Sequence, residues 1–116
     1  MKYPFASDAY IMLPSVFYHW GEDDFPARQD VQLLTSRDGR TWDRAGDRRA
    51  FLSVGAEGSA TDSQVFANPW LTRVGDELWF YYSGTARKHS GGMAPQDLAP
   101  GADKFSGIYR ASMRLE

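Results

Sequence analysis

The chain has 116 residues, the length of one small domain that can bury a moderate core. Its 13 Lys and Arg residues stand against 15 Asp and Glu residues, and the formal charge of -2 excludes the basic surface that nucleic acid or an anionic membrane would need. Cysteine is absent, which excludes disulfides and thiolate metal sites but leaves the cellular compartment open. No apolar run predicts a signal peptide or a membrane span.

The N-terminal region predicts two strands followed by a loop. Residues 9–13 and 15–20 have strand character on either side of Pro14, which marks a bulge or an edge position. Residues 19–29 contain Gly, Pro and three consecutive acids, which is typical of a loop.

Residues 30–44 carry the clearest structural signal in the chain. The alternation over residues 30–36 fits a half-buried strand, and residues 41–44 provide its return strand. Between them, Asp38 and Gly39 supply the positive φ that a tight turn needs. The pattern therefore predicts a β-hairpin.

The second half repeats the strand and turn pattern. Residues 45–61 pass from charged to small side chains and indicate a crossing between sheets. Residues 62–71, 77–83 and 105–113 are predicted to be strands. A long loop, residues 84–104, separates the last two. No segment has helical periodicity, so the chain is predicted to be all-β and antiparallel.

In an up-and-down antiparallel sheet, connections alternate between the two ends of the sheet. The three long connections, residues 19–29, 45–61 and 84–104, then fall at one end. The tight turns at 37–40 and 72–76 fall at the other. Long polar loops gathered at one end of a rigid scaffold indicate a binding or catalytic surface there.

Five segments resemble the five-bladed β-propeller fold of glycoside hydrolases such as invertases, arabinanases and β-xylosidases. They read YPFASDAYIMLPSVFYH, VQLLTSRDGRTWDR, GSATDSQVF, GDELWFYYSGTARKH and GIYRASMRLE, and they cover nearly the whole chain. The resemblance implies two incomplete blades that form one structural unit. Residues 1–50 would be a blade that lacks its inner strand, and residues 51–116 a blade that lacks its outer strand. Because a propeller closes with about four to eight blades, we expect the chain to be a fragment of a larger enzyme or to assemble with further copies.

The resemblance also implies site residues. Propeller hydrolases place carboxylates at the ends of inner strands, and Asp62 opens such a strand, so it is the candidate catalytic residue. The alternative is a structural role in which the Asp62 side chain caps a turn. Candidate substrate contacts at the same end are His19, Trp20, Glu57, Arg87 and His89. Two histidines without a suitably spaced third ligand predict no metal site, and no cofactor is expected.

The expected partner is therefore a carbohydrate, and glycosidic bond cleavage by the isolated chain is not expected because a complete acid pair is missing. Three other interpretations stay open. One is a non-catalytic carbohydrate-binding module that self-associates through open blade edges. Another is a small β-sandwich, and the third is a sialidase-type Asp-box, whose spacing the turn after Ser36 does not match. Proteins of the resembling family are often secreted or periplasmic, but the sequence leaves localisation undecided.

Overall fold

The computed structural model of the protein describes residues 1–18, 28–87 and 106–115. This part of the chain is all-β, as predicted, with one short 3-10 turn at Ala45–Arg48 and no α-helix. Its strands are β1 (Tyr10–Met12), β2 (Ser15–Phe17), β3 (Gln29–Gln32), β4 (Leu34–Ser36), β5 (Asp43–Arg44), β6 (Ala50–Leu52), β7 (Gln64–Val74), β8 (Glu77–Thr85) and β9 (Ser106–Arg114). None of the described residues forms a helix that could span a bilayer.

A small sheet of three antiparallel strands has the order β1-β4-β5. The N-terminal segment pairs with the outer strand β1. The Met1 amino group donates to the Ile11 carbonyl at 2.8 Å, and the Ile11 amide donates to the Met1 carbonyl at 2.9 Å. An isolated bridge between Lys2 and Tyr10 adds to this contact.

The predicted hairpin is confirmed as the pair β4–β5, and its turn is held by two side chains. Ser36 Oγ accepts a hydrogen bond from the Gly39 amide at 2.8 Å, and Asp38 Oδ1 accepts from the amides of Arg40 and Thr41, both at 2.8 Å. These bonds to the Thr41 and Arg40 backbone lower the pKa of Asp38 to about 2. Gly39 has a φ of 74°, the left-handed conformation that the Asp-Gly pair predicts.

The chain changes sheets at two neighbouring points. β1 belongs to the small sheet and β2 to the large one, and Pro14 lies at the change because its ring nitrogen cannot donate to a ladder. The Pro14 carbonyl still accepts from the Gln32 amide at 3.1 Å. Residues 30–36 likewise divide at Leu33 into β3 and β4, so the prediction of one continuous strand was wrong.

The large sheet has the order β2-β3-β7-β8-β9, with β6 pairing to β3 as a side branch. Strands β7, β8 and β9 form an antiparallel meander as predicted. Gly75, with a φ of 59°, occupies the first central position of the two-residue turn between β7 and β8, where a type II′ turn has its glycine.

The β7–β8 ladder is interrupted by a bulge of three residues. Ala67 pairs with Tyr82 and Leu71 with Phe80, so residues 68–70 of β7 lie opposite the single residue Tyr81. The bulge displaces the Asn-Pro-Trp sequence from the ladder, which suits Pro69 because it has no N–H.

The two halves of the chain share the large sheet. β3 pairs in parallel with β7 at Gln29 and Gln64, and antiparallel with β6 at Val31 and Leu52. Residues 45–61 were predicted as a pure crossing, and β6 shows that this was wrong in part: the apolar residues Ala50–Leu52 form a strand.

The buried apolar core of the described residues is small and lies in the large sheet. Val31 and Val65 are fully buried, and Leu78 and Phe80 are almost fully buried. The Phe51 ring on β6 stacks against Phe80 with ring centroids 5.7 Å apart. Together these side chains hold β3, β6, β7 and β8 in place around the strand ends considered next.

Candidate functional site

Strand ends from both halves of the chain meet at one end of the large sheet. Gln29 pairs with Gln64, Gln64 with Thr85, and Thr85 with Ser106, so the starts of β3, β7 and β9 lie beside the end of β8. The Gln29 amide donates to the Ser63 carbonyl at 3.0 Å. The turn at Gly75 lies at the other end of the β7–β8 pair. The described strand ends thus have the polarity predicted for the long connections.

Three polar side chains are buried where these strands meet. Gln29 is 8% exposed, Ser63 7% and Gln64 7%. Polar side chains are seldom buried to this extent without a specific partner. We call Gln29, Asp62, Ser63, Gln64 and Arg87 the strand-end site.

Ser63 and Gln64 fix the path of the chain as it leaves β8. Gln64 Nε2 donates to the Arg87 carbonyl. Ser63 Oγ lies 3.0 Å from the Ala86 carbonyl and 2.9 Å from Asp62 Oδ1, so its single proton is shared between two acceptors. The positions of residues 86 and 87 therefore depend on the buried side chains of Ser63 and Gln64, where β7 begins.

Asp62 uses both carboxylate oxygens in local hydrogen bonds. Oδ2 accepts from the Gly58 amide at 2.8 Å, and Oδ1 is the oxygen near Ser63 Oγ. The Asp62 amide in turn donates to the Ser59 carbonyl at 3.3 Å. Asp62 thus closes the turn before β7, which is the structural role considered as the alternative to catalysis, while a catalytic role stays a prediction.

The other predicted site residues divide into two groups. Glu57 is exposed in the same turn as Gly58, and Arg87 is exposed at the end of β8 with its amide donating to Thr85 Oγ1 at 3.0 Å. His19, Trp20 and His89 lie outside the described residues. Of the predicted set, the structure brings Asp62 and Arg87 to the same end of the sheet.

In the described part of the chain, three buried polar atoms have no hydrogen-bond partner, and each lies on a segment that leads into this end of the sheet. They are Gln29 Oε1, Asp30 Oδ1 and Ser59 Oγ. Gln29 and Asp30 begin β3, and Ser59 belongs to the turn that Asp62 closes. An unpaired buried acceptor costs about 1–3 kcal/mol, so these atoms are candidates for contact with a ligand.

Asp30 begins a chain of hydrogen bonds that runs along the other face of β3. Arg44 donates to Gln32 Oε1, Gln32 Nε2 donates to the Tyr18 hydroxyl at 3.3 Å, and Tyr18 hydrogen-bonds to the Asp30 carboxyl group. Partial burial raises the pKa of Asp30, and the bond from Tyr18 offsets part of that rise. A carboxyl group with a raised pKa and a free oxygen is a functional candidate.

Sequence reasoning missed Gln29, Asp30, Ser63 and Gln64. The available signal was the sequence Gln-Asp-Val-Gln over β3, which puts polar residues on both faces of a strand that pairs on both sides. Within residues 1–18, 28–87 and 106–115, no three acidic or histidine side chains come together as metal ligands.

Comparison of the chain with protein-family models, with curated proteins and with solved structures finds no match. Any functional conclusion therefore depends on the residues themselves and on the resemblance of the sequence motifs.

Proposed function

We propose that the chain is part of a glycoside hydrolase-like five-bladed propeller and binds a poly- or oligosaccharide at the strand-end site, without cleaving glycosidic bonds on its own. The all-β fold and the antiparallel meander support this proposal at the level of fold class. The motifs quoted above support it at the level of family.

The observation that carries the proposal is the unpaired acceptor Gln29 Oε1, buried within the strand-end site. An amide oxygen can only accept hydrogen bonds, so a ligand that satisfies it must donate one. Sugar hydroxyl groups donate, whereas fully ionised phosphate or carboxylate groups do not, so this acceptor favours a carbohydrate over an anionic ligand.

The absence of hydrolysis follows from the number of carboxyl groups that the reaction needs. Most glycosidases use two, one as general acid and one as nucleophile or base. At the described strand ends, Asp62 is occupied by its bonds to Gly58 and Ser63. The resemblance implies that at least one further carboxylate comes from another blade.

Two glutamines on the same strand provide a matched test. Gln29 and Gln32 are both buried in β3, but Gln29 Oε1 is unpaired and Gln32 binds Tyr18 and Arg44. Gln29→Met removes an unpaired acceptor whose burial costs about 1–3 kcal/mol, so stability should not fall and should rise by up to that amount. Gln32→Met breaks existing bonds and should cost about 1–3 kcal/mol.

Binding should respond in the opposite sense. Titration with xylo-, arabino- and fructo-oligosaccharides, followed by NMR or calorimetry, should show affinity that falls about tenfold in Gln29→Met, the equivalent of about 1.4 kcal/mol, and stays unchanged in Gln32→Met. Equal affinity of Gln29→Met and the parent chain for every sugar bound, or no binding at all, would contradict the proposed site.

Catalysis is tested separately with aryl glycosides. The purified chain should give no turnover above a heat-denatured control. Turnover that disappears in Asp62→Asn would overturn the second half of the proposal and assign Asp62 a catalytic role.

A second candidate function is self-association of a non-catalytic module. The specific observation in its favour is that large apolar side chains of the large sheet are exposed, with Tyr81 46% and Ile108 80% exposed, beside the edge strand β9. Open strand edges and uncovered sheet faces are common sites of association.

A further inference from the structure

The face of the β7–β9 meander opposite the buried side chains of Leu78 and Phe80 exposes several large apolar side chains. Phe66, Ser83 and Ile108 form one row across the three strands, and Tyr81 and Arg110 belong to the next. Ile108 is 80% exposed, Tyr81 46% and Phe66 38%. We call Phe66, Tyr81 and Ile108, together with Trp70 on the adjoining bulge, the aromatic face.

Phe66, Tyr81 and Ile108 surround a shallow cavity of about 230 Å³, whose lining also includes Asn68 and Ser83. Trp70 is 74% exposed, because the bulge opposite Tyr81 displaces it from the ladder. A bulge that re-aims a side chain is commonly a functional feature.

The aromatic face exposes enough apolar area for a protein interface. A buried aromatic side chain contributes about 150–250 Å², so the exposed fractions amount to roughly 400–500 Å². A standard interface buries about 800 Å² on each partner, of which somewhat more than half is apolar. The aromatic face therefore provides about the apolar area that one side of a stable dimer needs.

Charged and polar side chains contact one another beside the aromatic face. The Arg110 guanidinium lies 3.8 Å from the centroid of the Trp79 ring, and Trp79 Nε1 donates to Glu77 Oε2 at 2.7 Å. Glu77 also pairs across the ladder with Arg114. The surface thus carries both signs of charge, and a two-fold partner can approach without opposing like charges along its whole length.

The open edge of β9 is a poorer contact. If two β9 strands paired antiparallel over all nine residues, Arg110 would face its own copy at the centre, and like charges directly opposite each other destabilise a sheet. The strand has a second arginine, Arg114, and no acid to compensate. Charged residues on an edge strand are a common means of preventing edge pairing.

We propose that the aromatic face is the contact surface for a second copy of this chain, packed sheet against sheet rather than edge to edge. A two-fold dimer uses the same patch on both subunits, so each copy covers the Ile108 and Tyr81 side chains of the other. This inference rests on the self-association candidate above and does not depend on carbohydrate binding.

Sedimentation equilibrium of the full 116-residue chain tests the proposal. The parent chain should show a concentration-dependent dimer, and Ile108→Lys should raise its dissociation constant at least tenfold because it places a charge in the interface. Ile108 is 80% exposed, so this variant should fold, and Trp70→Lys at a 74% exposed position provides a second case. Met12→Lys is the control, since Met12 is 41% exposed on β1 in the other sheet.

The sedimentation results distinguish the aromatic face from the β9 edge as the contact surface. A strict monomer at all concentrations overturns both self-association and the aromatic face. A dimer that Ile108→Lys and Trp70→Lys leave intact, with new hydrogen-exchange protection at the outward amides of β9, keeps self-association but moves it to the edge. A dimer weakened equally by Met12→Lys would show that added charge, rather than the aromatic face, is responsible.

Discussion

Gly84 lies where a single methyl group should disturb the strand-end site. It is buried on β8, and a Cβ at this position would lie 2.5 Å from Thr61 Cγ2 and 3.0 Å from Thr61 Cβ. Carbon atoms in contact normally lie about 3.5–4.0 Å apart, so in Gly84→Ala the Thr61 side chain must move by about 1 Å. Thr61 immediately precedes Asp62, and its carbonyl accepts from the Gly55 amide at 3.0 Å. The displacement should therefore reach the turn that Asp62 closes.

The expected cost is that of overpacking, about 1–3 kcal/mol of unfolding free energy. Replacing Gly by Ala in a strand also restricts the unfolded chain, which offsets about 0.5–1 kcal/mol. We therefore expect Gly84→Ala to lose about 1–2 kcal/mol in urea denaturation. Gly107→Ala is the matched control on the neighbouring strand. Its Cβ would meet the Tyr109 hydroxyl at 3.1 Å, the far end of a side chain that can move.

A double-mutant cycle isolates the contact. Thr61→Ala removes Cγ2, so the penalty of Gly84→Ala should fall by about 1 kcal/mol in the Thr61→Ala background. Equal stability of Gly84→Ala and the parent chain, or a penalty that is the same with and without Thr61 Cγ2, would exclude a steric clash between residues 61 and 84.

Three further predictions concern the core and two carboxyl groups. Phe80→Ala should cost about 3–5 kcal/mol in urea denaturation, whereas Tyr81→Ala at the adjacent, 46% exposed position should cost clearly less, and equal losses would contradict the core assignment. Because the pKa of Asp30 is raised in the folded protein, ionisation reduces stability as pH rises above 3.8 and through the folded pKa. Asp30→Asn should then gain stability relative to the parent chain between pH 3 and pH 7, and a constant difference would refute the burial effect. The pKa of Asp38 is shifted in the opposite direction, to about 2, so its ionised form stabilises the folded protein. Asp38→Ala should therefore melt at a lower temperature than the parent chain at pH 7, and the difference in melting temperature should narrow as pH falls from 3.8 towards 2.

Local signals predicted the elements that are formed by residues close in sequence. The Ser36 to Thr41 turn follows from short side chains that bond to nearby amides, and the glycine at position 75 allows the tight turn of the meander. The all-β class and the polarity of the described strand ends follow from the same alternation and spacing.

Contacts distant in sequence were not predictable in the same way. Nothing in the strand pattern of residues 30–36 shows that the chain changes sheets at Leu33, because alternation continues through the change. The pairing of Gln29 with Gln64 and of Val31 with Leu52 depends on tertiary packing. The burial of Gln29 and Gln64 follows from that pairing, so it could not be predicted from residue type.

The parallel pairing between β3 and β7 also affects how the protein forms. β7, β8 and β9 are consecutive strands, whereas β3 must close a long loop to reach β7, which raises the entropic cost of that contact. We expect the meander to assemble early and β3 to dock late. Unfolding would then start where Gln29 separates from Gln64, and the strand-end site would come apart before the remainder of the sheet.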